Sequence, residues 1–147
     1  MVVSTRVAPS SPEARRRMQR VRQKNTACEA ALRRELHARG LRYRLQVPLL
    51  TKPRRVADVV FSGPRVAVFV DGCFWHGCPQ HATWPKKNAD FWRAKIEANV
   101  ARDGDTNARL CAEGWCVIRV WAHEEPKVAA DRIARVIEAR LTAKVRR

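Results

Sequence analysis

Short apolar stretches in the middle of the chain predict a β-sheet. Apolar and polar residues alternate over residues 41–47, which is typical of a strand with one buried face. The stretches 56–61 and 66–70 are mostly apolar and rich in valine, and a Ser-Gly-Pro turn at 62–64 separates them. We therefore expect two adjacent buried strands there, and a further strand at 115–121.

Helical segments precede these strands. A Ser-Pro-Glu triplet at residues 11–13 is typical of a helix start, and this basic helix is expected to run to about residue 23. Thr26 and Glu29 have the spacing of a capping box, which predicts a second helix. That helix is expected to end at Gly40, because glycine is the usual residue just beyond a helix C-terminus.

Two more helices follow in the second half of the chain. One is expected to begin after Asn88 and to end at Gly114, and the other to begin at Pro126. Helices and strands thus occur in the order α, α, β, β, β, α, β, α, without an internal repeat or a long linker. We expect one mixed α/β domain over residues 1–147, in which helices flank a single central sheet.

The charge of the chain is strongly positive and unevenly distributed. The 147 residues carry a formal net charge of +16, of which +12 falls in residues 1–57, −1 in 58–126 and +5 in 127–147. A polyanionic partner is therefore expected. A basic N-terminal arm at 1–24 and a basic C-terminal helix at 127–147 are predicted to supply salt-dependent affinity for it.

The composition also excludes some classes of protein. With 46% hydrophobic residues the chain has enough apolar material for a core, which excludes a wholly disordered polycation. The sequence contains no apolar run of the roughly 18 to 20 residues that cross a bilayer, and its start lacks the apolar region of a signal peptide. We expect a soluble cytoplasmic protein with no membrane partner.

A cluster of cysteine and histidine residues predicts a zinc site. Cys73, Cys78 and His81 have the donor types that zinc prefers, and glycine and proline residues between them allow a short loop to surround the ion. His123 follows the predicted strand 115–121 and is the favoured fourth ligand.

Two alternatives to this ligand set remain open. Cys111 and Cys116 repeat the four-residue spacer of Cys73 and Cys78, so a four-cysteine site is one alternative. The other is that the cysteines are buried without a metal, because cysteine packs as a small apolar residue. In the favoured assignment the remaining thiols, Cys28 among them, lie in the core, and no disulfides are expected in a chain without an export signal.

Carboxylates within the predicted strands indicate a second metal site, which would bind a hard cation through oxygen ligands. Asp58 interrupts the apolar stretch 56–61 and Asp71 ends the next strand, and burying a carboxylate is unfavourable unless a cation compensates it. Mg²⁺ prefers such oxygen ligands. A Mg²⁺ site beside a basic surface suggests metal-assisted phosphodiester hydrolysis. His76 is a candidate base. The alternatives are that Asp58 pairs with Arg54 or Arg55, and that His76 binds zinc.

Paired aromatic residues accompany the basic ones. Phe74 and Trp75 lie in the predicted metal loop, and Phe91 and Trp92 lie at the start of the long helix. Two adjacent aromatic side chains cannot both point into one core, and exposed aromatic residues of DNA-binding proteins often act as wedges between base steps. A place in the core is an equally supported alternative for Phe91.

Taken together, these residues resemble the very short patch repair (Vsr) endonucleases over residues 17–124. The resemblance depends chiefly on Phe-Val-Asp-Gly-Cys-Phe-Trp-His at 69–76, with support from Thr-Ala-Cys-Glu at 26–29, Arg-Asp at 102–103 and Gly-Trp at 114–115. It implies a restriction-endonuclease-like fold and nicking of one strand of duplex DNA beside a thymine mispaired with guanine. It also implies a nucleoid-associated enzyme that acts before other repair proteins, and a monomer is compatible with nicking one strand.

The resemblance also implies catalytic roles. Asp58 and the backbone carbonyl of Val70 would contact Mg²⁺, His76 would act through water at the scissile phosphate, and Glu29 would orient the site. The best-known member has Thr-His where this chain has Val70 and Asp71, which makes Asp71 a candidate metal ligand in place of a histidine. The resemblance further implies that the zinc is structural, and the family's late zinc-binding cysteine corresponds to His123 of this chain.

Other positions resemble the family's DNA-contacting residues. The resemblance implies an aromatic wedge in the major groove, formed by Phe74, Trp75 and Trp92. Met18 would be inserted from the opposite side, and Lys95 and Asn99 would line the mismatch pocket. Two other functions are kept as alternatives: a related nicking or restriction-type DNA endonuclease without strict mismatch specificity, and a non-catalytic, zinc-stabilised DNA-binding module.

Overall fold

The computed structural model describes residues 12–73, 77–80 and 86–146, and over residues 14–26 it describes the backbone alone. The described part contains three helices and four strands. In chain order these are α1 Pro12–Ala38, β1 Arg44–Thr51, β2 Arg54–Phe61, β3 Val66–Asp71, α2 Ala89–Ala112, β4 Cys116–Trp121 and α3 Pro126–Val145. None of these helices is both long and apolar enough to span a bilayer, within the residues described.

The four strands form one mixed sheet in the order β1-β2-β3-β4. The first three strands are antiparallel neighbours, as expected for apolar segments joined by short turns, and Val59 lies opposite Val68. β4 pairs parallel to β3, with Val66 level with Cys116 and Asp71 level with Trp121. Parallel pairing requires a long crossover between the two strands, and this crossover contains α2.

Helices cover both faces of the sheet, which confirms the predicted mixed α/β architecture. On one face, residues of α1 and α3 such as Leu36 and Ile133 are fully buried against β2, β3 and β4. On the other face, Leu110 of α2 packs with Leu50, Ala57, Val60, Ala67 and Phe69. The apolar runs predicted to form buried strands thus lie between two layers of helix.

The prediction of two N-terminal helices was wrong, because α1 is one continuous helix. No proline or glycine occurs after Pro12 until Gly40, so the capping signal of Thr26 and Glu29 has no helix break to act on. Gly40 does end the helix: its φ is +73°, and its N–H donates to the carbonyl of His37. Asn88 precedes α2 as predicted, but its side chain makes no capping hydrogen bond.

Candidate active site and metal centre

Asp58 and Val70 meet where β2 and β3 separate. The last regular pair of these strands on this side is Val59 with Val68. Beyond it, Asp58 Oδ2 accepts a hydrogen bond from the backbone N–H of Val70 at 2.8 Å. The N–H and C=O of one strand residue point to the same side, so the Val70 carbonyl faces the same gap as the Asp58 carboxylate.

Glu29 of α1 and Gln46 of β1 complete this group of residues. The side-chain amide of Gln46 donates to Asp58 Oδ1 at 3.2 Å and to Glu29 Oε1 at 3.4 Å. Partial burial, and secondarily the nearby charge of Asp58, raise the pKa of Glu29 above its ordinary value. The carboxylates of Glu29 and Asp58 therefore lie on either side of one amide.

The oxygen donors of this group fit a hard divalent cation. Two carboxylates and one backbone carbonyl are the ligand types that Mg²⁺ takes from proteins. A bound cation would favour the ionised form of Glu29, whose pKa is raised by burial and secondarily by the charge of Asp58. The alternative in which Arg55 pairs with Asp58 was wrong. Arg55 instead donates to the Thr106 hydroxyl of α2 at 2.9 Å.

We expected Asp71 to bind a metal, but its side chain pairs with Arg119. Its side chain is buried, and Arg119 Nη1 lies 3.0 Å from Oδ1 and 3.2 Å from Oδ2. The same guanidinium contacts Asp103 and Asn107 of α2 and stacks over the ring of Phe69, 4.2 Å from its centroid. These contacts favour a structural role for Asp71, in which it ties the end of β3 to β4 and α2.

Sequence reasoning missed both Gln46 and Arg119. A signal for Arg119 was present, because this charged residue interrupts the apolar strand Cys116–Trp121 in the same way that Asp58 interrupts β2. Gln46 gave no comparable signal, since a polar residue is expected at that position of an alternating strand.

Three of the four predicted zinc ligands have described positions, and they lie together. Cys73, Cys78 and His123 place their ligand atoms within 4.8 Å of one another. His123 Nδ1 is 3.2 Å from Cys73 Sγ and 3.7 Å from Cys78 Sγ. Zinc bond lengths and tetrahedral angles would put such nitrogen and sulfur atoms about 3.6 Å apart, so the donor set fits zinc. His81 lies outside the described residues.

Local contacts shape the loop that carries the two cysteines. The N–H of Cys78 donates to the carbonyl of Cys73 at 3.0 Å, which closes the loop. Gly77 has a φ of +64°, and a side chain there would come within 3.3 Å of Ile96 and Val100 on α2. Burial, followed by the hydrogen bond to Cys78, raises the pKa of the Cys73 thiol, so a zinc ion must compete with a proton for it.

The four-cysteine alternative was wrong. Cys116 begins β4 level with Val66, at the opposite end of the sheet from Cys73, and Cys111 is exposed on α2. Cys111 is therefore not a core thiol either. Cys28, which we expected in the core, is half-buried, and its thiol donates to the carbonyl of Ala122 at 2.9 Å.

The predicted DNA-contacting residues of α2 lie in its first three turns. Trp92 packs edge-to-face on Phe91, with ring centroids 5.3 Å apart, and Lys95 Nζ lies 5.9 Å from the centre of the Trp92 ring. Asn99 accepts a hydrogen bond from Arg102 at 3.2 Å. Phe91 and Trp92 are both half-buried, so neither lies wholly in the core. Phe74, Trp75 and His76 lie outside the described residues, and only the backbone of Met18 is described.

Comparison with known proteins places the chain in a family. The model of the family described as DNA mismatch endonuclease Vsr matches residues 10–81. The type II nicking enzyme V.XorIIP of Xanthomonas oryzae pv. oryzae is 46% identical over 134 residues, which cover 89% of this chain and 91% of that protein. V.NaeI of Lentzea aerocolonigenes, also named a type II nicking enzyme, is 42% identical over 89% of this chain and 78% of its own length.

A third relative carries the family's own name. The DNA mismatch endonuclease Vsr of Escherichia coli K12 is 36% identical over 108 residues, which cover 71% of this chain and 65% of that protein. Each of these three alignments covers more than two thirds of the present chain. The chain therefore belongs to the Vsr family of DNA mismatch endonucleases.

Proposed function

We propose that the protein is a Mg²⁺-dependent endonuclease that nicks one strand of duplex DNA beside the thymine of a T·G mismatch. The observation that carries the proposal is the meeting of Asp58 and Val70 where β2 and β3 separate, with Glu29 nearby. This chain's family membership supports the same reaction class. A restriction-endonuclease-like fold, formed by a single domain that acts as a monomer, is part of the proposal.

The residues divide the chemistry among them. Asp58 and the Val70 carbonyl would hold the ion, and Glu29 would orient the site from α1. Mg²⁺ bound there would polarise the scissile phosphate and stabilise the leaving oxygen. His76 is proposed to take a proton from the attacking water. Asp71 is kept as a candidate metal ligand, although its contacts with Arg119 favour a structural role.

A structural zinc ion belongs to the same proposal. Cys73, Cys78, His81 and His123 would bind it, and the short distances between three of these side chains support the assignment. The zinc would fix the loop 73–81, which carries the proposed wedge residues, against the end of the sheet. A T·G pair stacks less well than a matched pair, so a wedge enters beside it at a lower energetic cost.

A second candidate function is favoured by the names of two relatives. V.NaeI and V.XorIIP are named type II nicking enzymes, without reference to a mismatch. A nicking endonuclease without strict mismatch preference would use the same residues. A non-catalytic binding module is less well supported, because it gives no reason for Glu29 and Asp58 to lie close together beside Val70.

The test compares end-labelled duplexes that differ only in one T·G or C·G pair, with Mg²⁺ and with EDTA. We expect one strand of the T·G duplex to be nicked in Mg²⁺ alone. Asp58→Ala should bind the T·G duplex in a gel-shift assay and fail to nick it. Glu113→Gln, which changes an exposed carboxylate at the far end of α2, is the matched control and should nick normally.

Two results would overturn the proposal. Nicking by Asp58→Ala in Mg²⁺ would remove the proposed metal site. Equal nicking of the T·G and C·G duplexes would remove the mismatch preference and support the second candidate function.

A further inference from the structure

Gln46 lies directly between the two carboxylates of the proposed active site. Its amide nitrogen is 3.2 Å from Asp58 Oδ1 and 3.4 Å from Glu29 Oε1. A glutamine amide carries two hydrogens, so one side chain can donate to two acceptors at once. Asp58 Oδ2 is already occupied by the N–H of Val70, so both oxygens of this carboxylate accept hydrogen bonds in known directions.

The strand register brings Gln46 opposite Asp58. Leu45 pairs with Val59 and Val47 pairs with Ala57, so the residues between them, Gln46 and Asp58, face each other across β1 and β2. Gln46 also reaches across to α1, which contributes Glu29. One side chain therefore connects a helix with two strands at the point where the metal is proposed to bind.

The backbone of Gln46 is in a conformation that glutamine rarely adopts. Its φ is +51°, in the left-handed region, where a side chain meets the following carbonyl. Residues held in such a conformation concentrate at functional sites, because the surrounding structure must maintain the strain. The strained residue is the same one whose amide contacts both carboxylates, and we take the strain as a sign of function.

We propose that Gln46 is a positioning residue that holds the carboxylates of Glu29 and Asp58 at the spacing needed to bind the catalytic cation, an inference that rests on the proposed function. Two adjacent carboxylates repel each other, and without a donor between them they would move apart. Gln46 opposes this movement with a group that carries no charge. The hydrogen bonds of residues around a metal site fix the orientation of its ligands in the same way.

The experiment uses two substitutions that remove the amide and differ in their effect on the strain of the backbone. Gln46→Met keeps the length of the side chain and the strain at positive φ, whereas Gln46→Gly relieves the strain. Binding of Mn²⁺, a cation that accepts the same oxygen ligands as Mg²⁺, is measured by electron paramagnetic resonance on the zinc-loaded full chain without DNA. Nicking is then measured as a function of Mg²⁺ concentration.

Both variants should bind Mn²⁺ at least about tenfold more weakly than the wild type, and high Mg²⁺ should restore much of their nicking. Gln46→Gly should melt at or above the wild-type temperature, which separates loss of positioning from loss of folding. Arg65→Gly is the matched control, since Arg65 also has a positive φ, +56°, but lies at the opposite end of the sheet. Its Mn²⁺ affinity should equal that of the wild type.

The outcomes separate this inference from the proposed function. If the wild type binds Mn²⁺ and either variant binds it equally well, the inference about Gln46 is wrong and the proposed function stands. If the wild type neither binds Mn²⁺ nor nicks DNA with any divalent cation, the proposed function is wrong and the role of Gln46 falls with it. The fraction of folded protein in each variant is measured by circular dichroism. If unfolding alone accounts for the weaker Mn²⁺ binding, the inference is also overturned.

Discussion

Arg119 and Asp71 form a buried ion pair in which one guanidinium nitrogen contacts both carboxylate oxygens, at 3.0 and 3.2 Å. Only 6% of Asp71 is exposed, so removing the guanidinium would leave a buried charge without its main partner. We predict that Arg119→Met destabilises the protein by about 3 kcal/mol, measured by urea unfolding. Arg39→Met is the control: it breaks solvent-exposed ion pairs with Glu35 and Asp131 and should cost much less stability. Equal effects of the two substitutions would contradict the prediction.

Asp71→Asn should separate a structural role for Asp71 from a role as a metal ligand. The contacts with Arg119 predict that this variant loses stability and keeps wild-type affinity for Mn²⁺. Asp58→Asn should show the opposite pattern, with weaker Mn²⁺ binding and a smaller change in stability. Parallel titrations of the two variants with Mn²⁺ decide the question, and a matching loss of affinity in both would make Asp71 a ligand.

Replacing one cysteine of the metal loop should remove zinc, and replacing an exposed cysteine should not. We predict that Cys78→Ser lowers the zinc content well below one ion per chain and lowers the melting temperature, because metal binding contributes folding free energy. Cys78 is fully buried beside His123, whereas Cys111 is exposed on α2. Cys111→Ser should therefore retain full zinc content by elemental analysis. Normal zinc content in Cys78→Ser would exclude this site.

The raised pKa of Glu29 predicts a specific pH dependence of stability. The ordinary value is 4.5, and between it and the raised value the folded protein binds more protons than the unfolded chain, so stability falls as the pH rises through this window. Without added Mg²⁺, Glu29→Gln should thus melt above the wild type near neutral pH. The difference should shrink as the pH falls toward 4.5. A difference that grows on acidification would contradict the assignment, and added Mg²⁺ should stabilise the wild type more than the variant.

The end of α3 is predicted to contribute to stability and not to DNA affinity. Arg140 donates to the carbonyls of Pro64 and Gly114, and Lys144 donates to that of Gly63, at the end of the sheet away from Asp58. We therefore predict that these two residues add less to DNA affinity than the rest of the C-terminal basic segment. The double variant Arg140→Met, Lys144→Met should melt earlier and keep the wild-type slope of log affinity against log salt.

Lys95→Met provides the contrast for that measurement. If Lys95 contacts a phosphate, the slope should become shallower by about 0.9, the value expected for one lost contact. An equal change of slope in the double variant of α3 would show that its basic residues also contact DNA.

The sheet could be predicted from the sequence because its signals are local. Val59 and Val68 belong to apolar runs joined by a four-residue turn, and such runs have few ways to bury their side chains other than pairing. The cluster of Cys73, Cys78 and His123 could also be predicted, since Cys73 and Cys78 lie close together in the chain and few other donors are available. His123 was placed from its position just after β4, together with the family resemblance.

Other features depend on tertiary contacts that no local pattern reports. The continuity of α1 could not be predicted, because a capping pair inside a helix looks the same as one at its start. Gln46 occupies an ordinary polar position of a strand, and only the approach of Glu29 from a helix gives it two acceptors. The pairing of Asp71 with Arg119 depends on which strand lies beside β3, and that is decided by the parallel crossover through α2.

Two consecutive residues of α1 reach the surroundings of both proposed metal sites. Cys28 donates to the carbonyl of Ala122, the neighbour of His123, and Glu29 accepts from Gln46 beside Asp58. A zinc ion that holds His123, as proposed, would therefore also support this turn of α1 and with it the position of Glu29. We therefore expect the specific nicking activity of a preparation to fall when its zinc content, measured by elemental analysis, falls.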